Sequence, residues 1–151
     1  MKLFAALKEE AQQGWVWLQS STLAPRAVIK IKNRDNGKVV YCEALQIDDN
    51  FLKNYNKDNN APSSQRHEIS DPANALVINY WYRAKPGRVS TQTEVPLDIT
   101  PLCCCNSWWG KFRACTDHPQ IVIRMAAWLG LISVFLGVVG VVLSVVSICR
   151  T

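Results

Sequence analysis

The sequence predicts a small, mainly β domain, a barrel or curved sheet with a short N-terminal helix, followed by one C-terminal transmembrane helix. Three observations carry this expectation: apolar residues at helical spacing near the start, β-formers alternating around Asn36-Gly37, and an uncharged apolar run over residues 125–149. The chain has 151 residues. With roughly 25 of them in the apolar run, about 120 remain, enough for one small core and too few for two. A mean hydropathy of −0.03 averages a polar front part with a very apolar tail, so it describes neither. The expected divisions are an amphipathic helix over 1–13, a cytosolic β domain over 14–102, a membrane-proximal Cys/Trp collar over 103–118 and the membrane helix over 119–149.

In the first segment the patch "LFAAL" stops after five residues and runs into "KEE". That is too short for the core of a signal peptide, and no small-residue cleavage site follows, so no export signal is expected. Leu3, Phe4, Leu7, Ala11, Trp15 and Leu18 recur at helical spacing, which predicts an amphipathic helix ended near Gly14. Packing against the domain suits it better than lying on a bilayer, because Glu9 and Glu10 would be repelled by anionic lipid.

"RAVIKIKNRDNGKVVYCEALQI" reads as a hairpin. Asn-Gly is the preferred pair for a two-residue type I′ turn, in which both positions need positive φ. A turn at Asn36-Gly37 sets Lys32 opposite Tyr41, Ile31 opposite Cys42, Lys30 opposite Glu43 and Ile29 opposite Ala44. One face then collects Ala27, Ile29, Ile31, Val40, Cys42 and Ala44, which makes Cys42 a small buried hydrophobe rather than a reactive thiol. The other carries Arg26, Lys30, Lys32 and Arg34, a possible anion-binding face, although alternating charge is also what any half-exposed hairpin shows.

The stretch "KDNNAPSSQRHE" reads as an exposed loop. In "ISDPANALVINYWYRAKPG" the Asp71-Pro72 start favours a helix, while Val77, Ile78, Tyr80, Trp81 and Tyr82 favour a strand, and both assignments stay open. "TQTEVPLDITPL" supplies an edge-like strand, since Pro96 cannot donate to a ladder.

Catalytic patterns are sparse. His67 lies in the polar loop and His118 just before the tail, neither in a nucleophile-elbow or Gly-rich context. Asp48-Asp49, Glu68-Asp71 and Glu94-Asp98 are carboxylates at ordinary surface spacings, so no enzyme and no cofactor are expected. Cys103, Cys104, Cys105, Cys115 and His118 are the candidate metal ligands, yet structural zinc sites space their cysteines by two to four residues, and adjacent thiols do not fit. Acylation near the membrane and plain reduced thiols are the alternatives, the latter expected in a reducing compartment.

Trp108, Trp109, Phe112 and Trp128 are amphipathic aromatics of the kind that settle at headgroup depth, with Lys111, Arg113 and a snorkelling Arg124 beside them. Thr116 or Asp117 is expected to cap a helix that has Pro119 in its first turn. Residues 125–149 would span about 37 Å, against about 30 Å of hydrocarbon, so the helix crosses once with some tilt. Lys111, Arg113 and Arg124 precede the span and only Arg150 follows it, which places the N-terminal domain in the cytosol and makes the crossing a tail anchor.

Within the span, Ala126, Gly130, Ser133, Gly137, Gly140, Ser144 and Ser147 form a seam of small side chains spaced alternately by four and three. Lipid offers helices no hydrophobic drive to associate, so close backbone approach must supply the attraction, and small residues permit it. A period of 3.5 predicts a left-handed crossing. The expected partners are the lipid bilayer and an identical copy or another membrane subunit, and the expected function is interaction or assembly. A membrane-disrupting or pore-forming effector triggered by ligand binding to the β domain is the second expectation. The charge of +5 favours anionic neighbours, but no RNA-type aromatic-plus-basic motif or recognition helix accompanies it, which argues against nucleic acid.

Overall fold

The structure, a computed structural model, describes residues 1–7, 10–57, 68–102 and 107–150. Its centre is a curled six-stranded mixed sheet built from β1 (Lys2–Ala5), β2 (Trp15–Leu18), β3 (Arg26–Asn33), β4 (Val39–Gln46), β5 (Ala75–Ile78) and β6 (Leu97–Pro101), in the order β1-β5-β2-β4-β3-β6. Among the described residues four α-helices accompany it: α1 (Asp49–Lys57), α2 (Tyr80–Ala84), α3 (Ser107–Asp117) and α4 (Ile121–Cys149). The mainly β domain and the C-terminal apolar helix are as expected. The N-terminal helix is not.

Residues 2–5 are instead a strand, paired in parallel with β5 from Lys2↔Ala75 to Ala5↔Ile78. Leu3 belongs to the core inside the curl and Phe4 to a second cluster outside it, under α1. A strand covered on both faces buries consecutive apolar residues, which over four positions imitates an amphipathic helix. What decides between them is β5, more than 70 residues away.

The second face is closed by α1. Asp48 Oδ1 accepts the Phe51 amide at 2.6 Å, capping the helix, and Trp17, Phe51 and Tyr55 stack at ring centroid distances of 4.3 and 5.6 Å. Burial on both faces is why all of β5 is buried. The ambiguous stretch after Asp71 resolves into a 3-10 turn at Pro72–Asn74, then β5, then α2. Asn79 makes that change of direction possible: its buried side chain accepts the Tyr82 amide at 2.8 Å and donates to Ala11 O at 2.9 Å.

The β3–β4 hairpin forms with a register two residues from the expected one: Ile31 faces Val40, Lys30 faces Tyr41 and Ile29 faces Cys42. Only Gly37 of the Asn-Gly pair has positive φ, so the turn is not type I′. Asn33 N–H donates to Lys38 O at 3.0 Å, which leaves a four-residue loop. The loop is held from outside, because Asn33 and Asn36 both donate their side-chain amides to Pro86 O, at 3.0 and 2.7 Å. An even slip keeps every side chain on its face. Ile29, Ile31, Val40, Cys42 and Ala44 are accordingly buried, as the pattern predicts.

One segment ties both margins of the curl. Residues 92–95 bond to β1, with Gln92 N–H donating to Leu3 O at 2.8 Å and Val95 N–H to Met1 O at 3.1 Å, and the same chain continues as β6 against β3. Pro96 sits between the two pairings, where no ladder donor is needed.

Candidate functional site

The densest group of long-range polar contacts lies where the β domain meets the long helix. Asp117, the last residue of α3, is its hub. Its Oδ2 accepts the Tyr41 amide of β4 at 3.0 Å, its Oδ1 pairs with Lys85 Nζ, and its backbone O accepts Trp81 Nε1 at 2.8 Å. Both partners in the ion pair are well shielded, with side-chain exposures of 30% for Lys85 and 18% for Asp117. The indole of Trp81 in turn receives the Arg124 guanidinium, 4.8 Å from its centroid.

His118 supplies the second tie. Its Nδ1 accepts the Gln120 amide at 3.1 Å, which leaves the proton of the neutral ring on Nε2, and the ring also hydrogen-bonds the Gln13 backbone. Gly14 makes the approach possible: its φ is +75°, and a Cβ there would overlap the Nε2 edge of the His118 ring. Gly14 O meanwhile accepts the buried Tyr82 hydroxyl at 3.1 Å. Two consecutive residues thus bind β4, α2 and the β1–β2 loop to the base of the helix.

The His118 pKa is depressed, chiefly by burial and further by the Arg124 charge, against the Gln13 hydrogen bond and Glu43, which raise it. A depressed histidine leaves the unfolded state binding more protons, so its contribution is present above the unfolded value of about 6.5 and is lost as pH falls through the folded one. Stability measured by denaturant titration at pH 7.5 and at pH 5.5 (about one unit either side of the unfolded value) is therefore expected to be lower at the acid end, and His118→Gln to reduce the difference. An unchanged difference in that variant would remove His118 as the cause.

Between α3 and the sheet lies a cleft of about 300 Å³, lined by Gly14, Val28, Glu43, Tyr82, Lys111, Ala114, Cys115 and His118. Cys115 and His118 both line it, and the His118 backbone N–H donates to Cys115 O at 3.3 Å. Burial pushes the Tyr82 hydroxyl well above its ordinary range, and does the same to the Cys42 thiol in the core. Asp48 caps α1, Asp71 holds Asn74 and Asp98 holds Arg34, so these carboxylates have structural partners.

The remaining candidates distribute as follows. On the basic face, Arg26 makes a two-point pair with Glu43 at 2.5 and 3.0 Å and Arg34 pairs with Asp98, while Lys30 and Lys32 supply the remaining cations of that face. Arg34 and Lys32 lower the pKa of Asp98, the hydrogen bond to Arg34 being the larger cause. Among the described residues no three His, Cys, Asp or Glu side chains converge. Cys115 is exposed; Cys103, Cys104, Cys105 and His67 lie outside the described residues.

Neither Thr116 nor Asp117 caps the membrane-type helix. Gln120 occupies that position without a side-chain cap, Thr116 donates to Arg113 O at 2.9 Å, and Asp117 is consumed by the hub. Arg124 turns onto Trp81. Trp108, Trp109, Phe112 and Trp128 form a chain of ring contacts at 6.0, 5.5 and 6.0 Å, and Arg113 stands over Trp109. The seam residues of α4 are exposed, a Cβ at Gly130, Gly137 or Gly140 would meet nothing within 4 Å, and Ser144 donates to Gly140 O at 2.9 Å.

Among the described residues one helix, α4, is long and apolar enough to cross a membrane. No protein-family model matches the chain, and no curated protein matches it.

Proposed function

We propose that this is a single-crossing membrane protein whose curled β domain serves as a cytosolic interaction or assembly module, while α4 packs through its small-residue seam against a second copy or another membrane subunit. The cytosolic side follows from Lys111, Arg113 and Arg124 before the crossing against Arg150 after it.

The observation that carries the reading is the direction of the seam. The half-buried residues at the base of α4, Ile123, Arg124, Ala127 and Leu131, and Trp128 with them, define the side turned to the domain. At 100° per residue the seam from Ala126 to Ser147 centres about 140° around the axis from that side. A partner helix can therefore reach the small residues without meeting the chain's own domain.

Gly137→Leu with Gly140→Leu is expected to weaken association by about tenfold or more, since the leucines hold the backbones apart. Sedimentation of the detergent-solubilised chain reads this as a shift toward monomer. An unchanged assembly would remove the seam from the proposal.

A further inference from the structure

Helix α3 is built inside out for a surface helix. Gly110, buried against Leu102, together with Ala114 and Asp117, turns toward the sheet, so the smallest side chains of the helix face the protein. Its large apolar side chains face away. Trp108 is 69% and Trp109 49% exposed, and Phe112, half-buried, stacks on Trp109 and meets Trp128 edge-on. A soluble helix buries its aromatic stripe, because each ring withdraws 150–250 Å² from water, so an outward stripe needs a second apolar environment.

We infer that α3 is docked in the headgroup layer of the same membrane that α4 crosses, with anionic lipid as its partner. This rests on the reading of α4 as a crossing. The occupant is lipid rather than a protein groove because the aromatic stripe is continuous with the apolar helix. Rings 108, 109, 112 and 128 touch in sequence, so the stripe of α3 runs without a break onto the face of α4. Indoles favour the boundary between hydrocarbon and headgroups. The charges fit as well: Arg113 is exposed over Trp109, Lys111 is exposed although it also lines the cleft, and α3 has no acid before Asp117, whose carboxylate is already taken by Tyr41 and Lys85.

Length gives an independent check. With the boundary at Trp128, residues 129–149 are left for hydrocarbon, about 31 Å of helix against a core of about 30 Å, a match that needs no tilt. The longer apolar stretch from residue 125 overshoots by about 7 Å. Helix α3 thus acts as a depth stop. It sets how far α4 sinks, and through Asp117 and His118 it holds the β domain at one height and one attitude over the lipid.

The test uses the full chain in phosphatidylcholine vesicles, with tryptophan emission quenched either from within, by lipids brominated on the upper chain carbons, or from water, by acrylamide. Trp108→Phe with Trp109→Phe is expected to remove about two-thirds of the lipid-quenchable emission, leaving that of Trp128, and to leave acrylamide quenching nearly unchanged. Loss of acrylamide-quenchable emission instead, with Trp128 still quenched by lipid, would overturn the docking while leaving the crossing intact. Rings reached by neither quencher would overturn it in favour of a protein partner. If no emission were lipid-quenched and alkaline carbonate released the chain, the crossing itself would fail. Replacing part of the lipid with brominated phosphatidylserine is expected to raise quenching about twofold over the phosphatidylcholine analogue, and Lys111→Gln with Arg113→Gln to abolish that excess. Equal quenching by the two lipids in the unaltered chain would overturn the anionic preference.

Discussion

Gly14→Ala is expected to lower the unfolding free energy of the β domain by about 2–3 kcal/mol. A left-handed backbone costs a residue with a Cβ about 1–2 kcal/mol, and the new methyl evicts the His118 ring, whose hydrogen bonding to the Gln13 backbone is worth about 1 kcal/mol more. The denaturant midpoint of the detergent-solubilised chain, followed by tryptophan emission, reads the loss. Combining it with His118→Ala separates the two contributions. The methyl then has room, so the double variant should be less destabilised than the sum of the singles, with the backbone penalty remaining. Strict additivity would mean that Gly14 and His118 do not meet.

Asp117→Ala is expected to cost about 2–4 kcal/mol. It leaves the Tyr41 amide without its acceptor and the shielded Lys85 ammonium without its counter-charge, and an orphaned donor loses more than the bond itself contributed. Asp117→Asn keeps an oxygen for Tyr41 but not the charge, so it should fall between the two. Hydrogen exchange gives a readout specific to the contact: the Tyr41 amide should lose protection in the alanine variant and retain part of it in the asparagine one. A Tyr41 amide equally protected in all three would show that the hub does not bind β4.

What could be read in advance was whatever depends on near neighbours. The buried face of the hairpin follows from alternation alone, and it survived a two-residue error in register because the error was even. The register itself was set by Pro86, fifty residues on, which captures the loop through Asn33 and Asn36. Residues 2–5 form a strand rather than the expected helix for the same kind of reason, their partner β5 being remote. Helix α1 does have local signals: Asp48 stands where a cap belongs, and Phe51, Leu52 and Tyr55 have helical spacing. Asp117 looked like a helix cap, and its type did suit that role. Only the folded chain places β4 and α2 within its reach.

The hub has a geometric corollary. Because Asp117 binds Tyr41 and Lys85, His118 the Gln13 backbone and Arg124 the Trp81 ring, the domain and the helix share one azimuth, like a dial fixed to its spindle. Adding a single residue after Trp128 would turn the far end of the spindle about 100° relative to the dial, and seven residues would nearly restore the original bearing. If α4 packs against a second copy as proposed, the edge of the helix that its neighbour grips would dictate which flanks of the two domains look at each other.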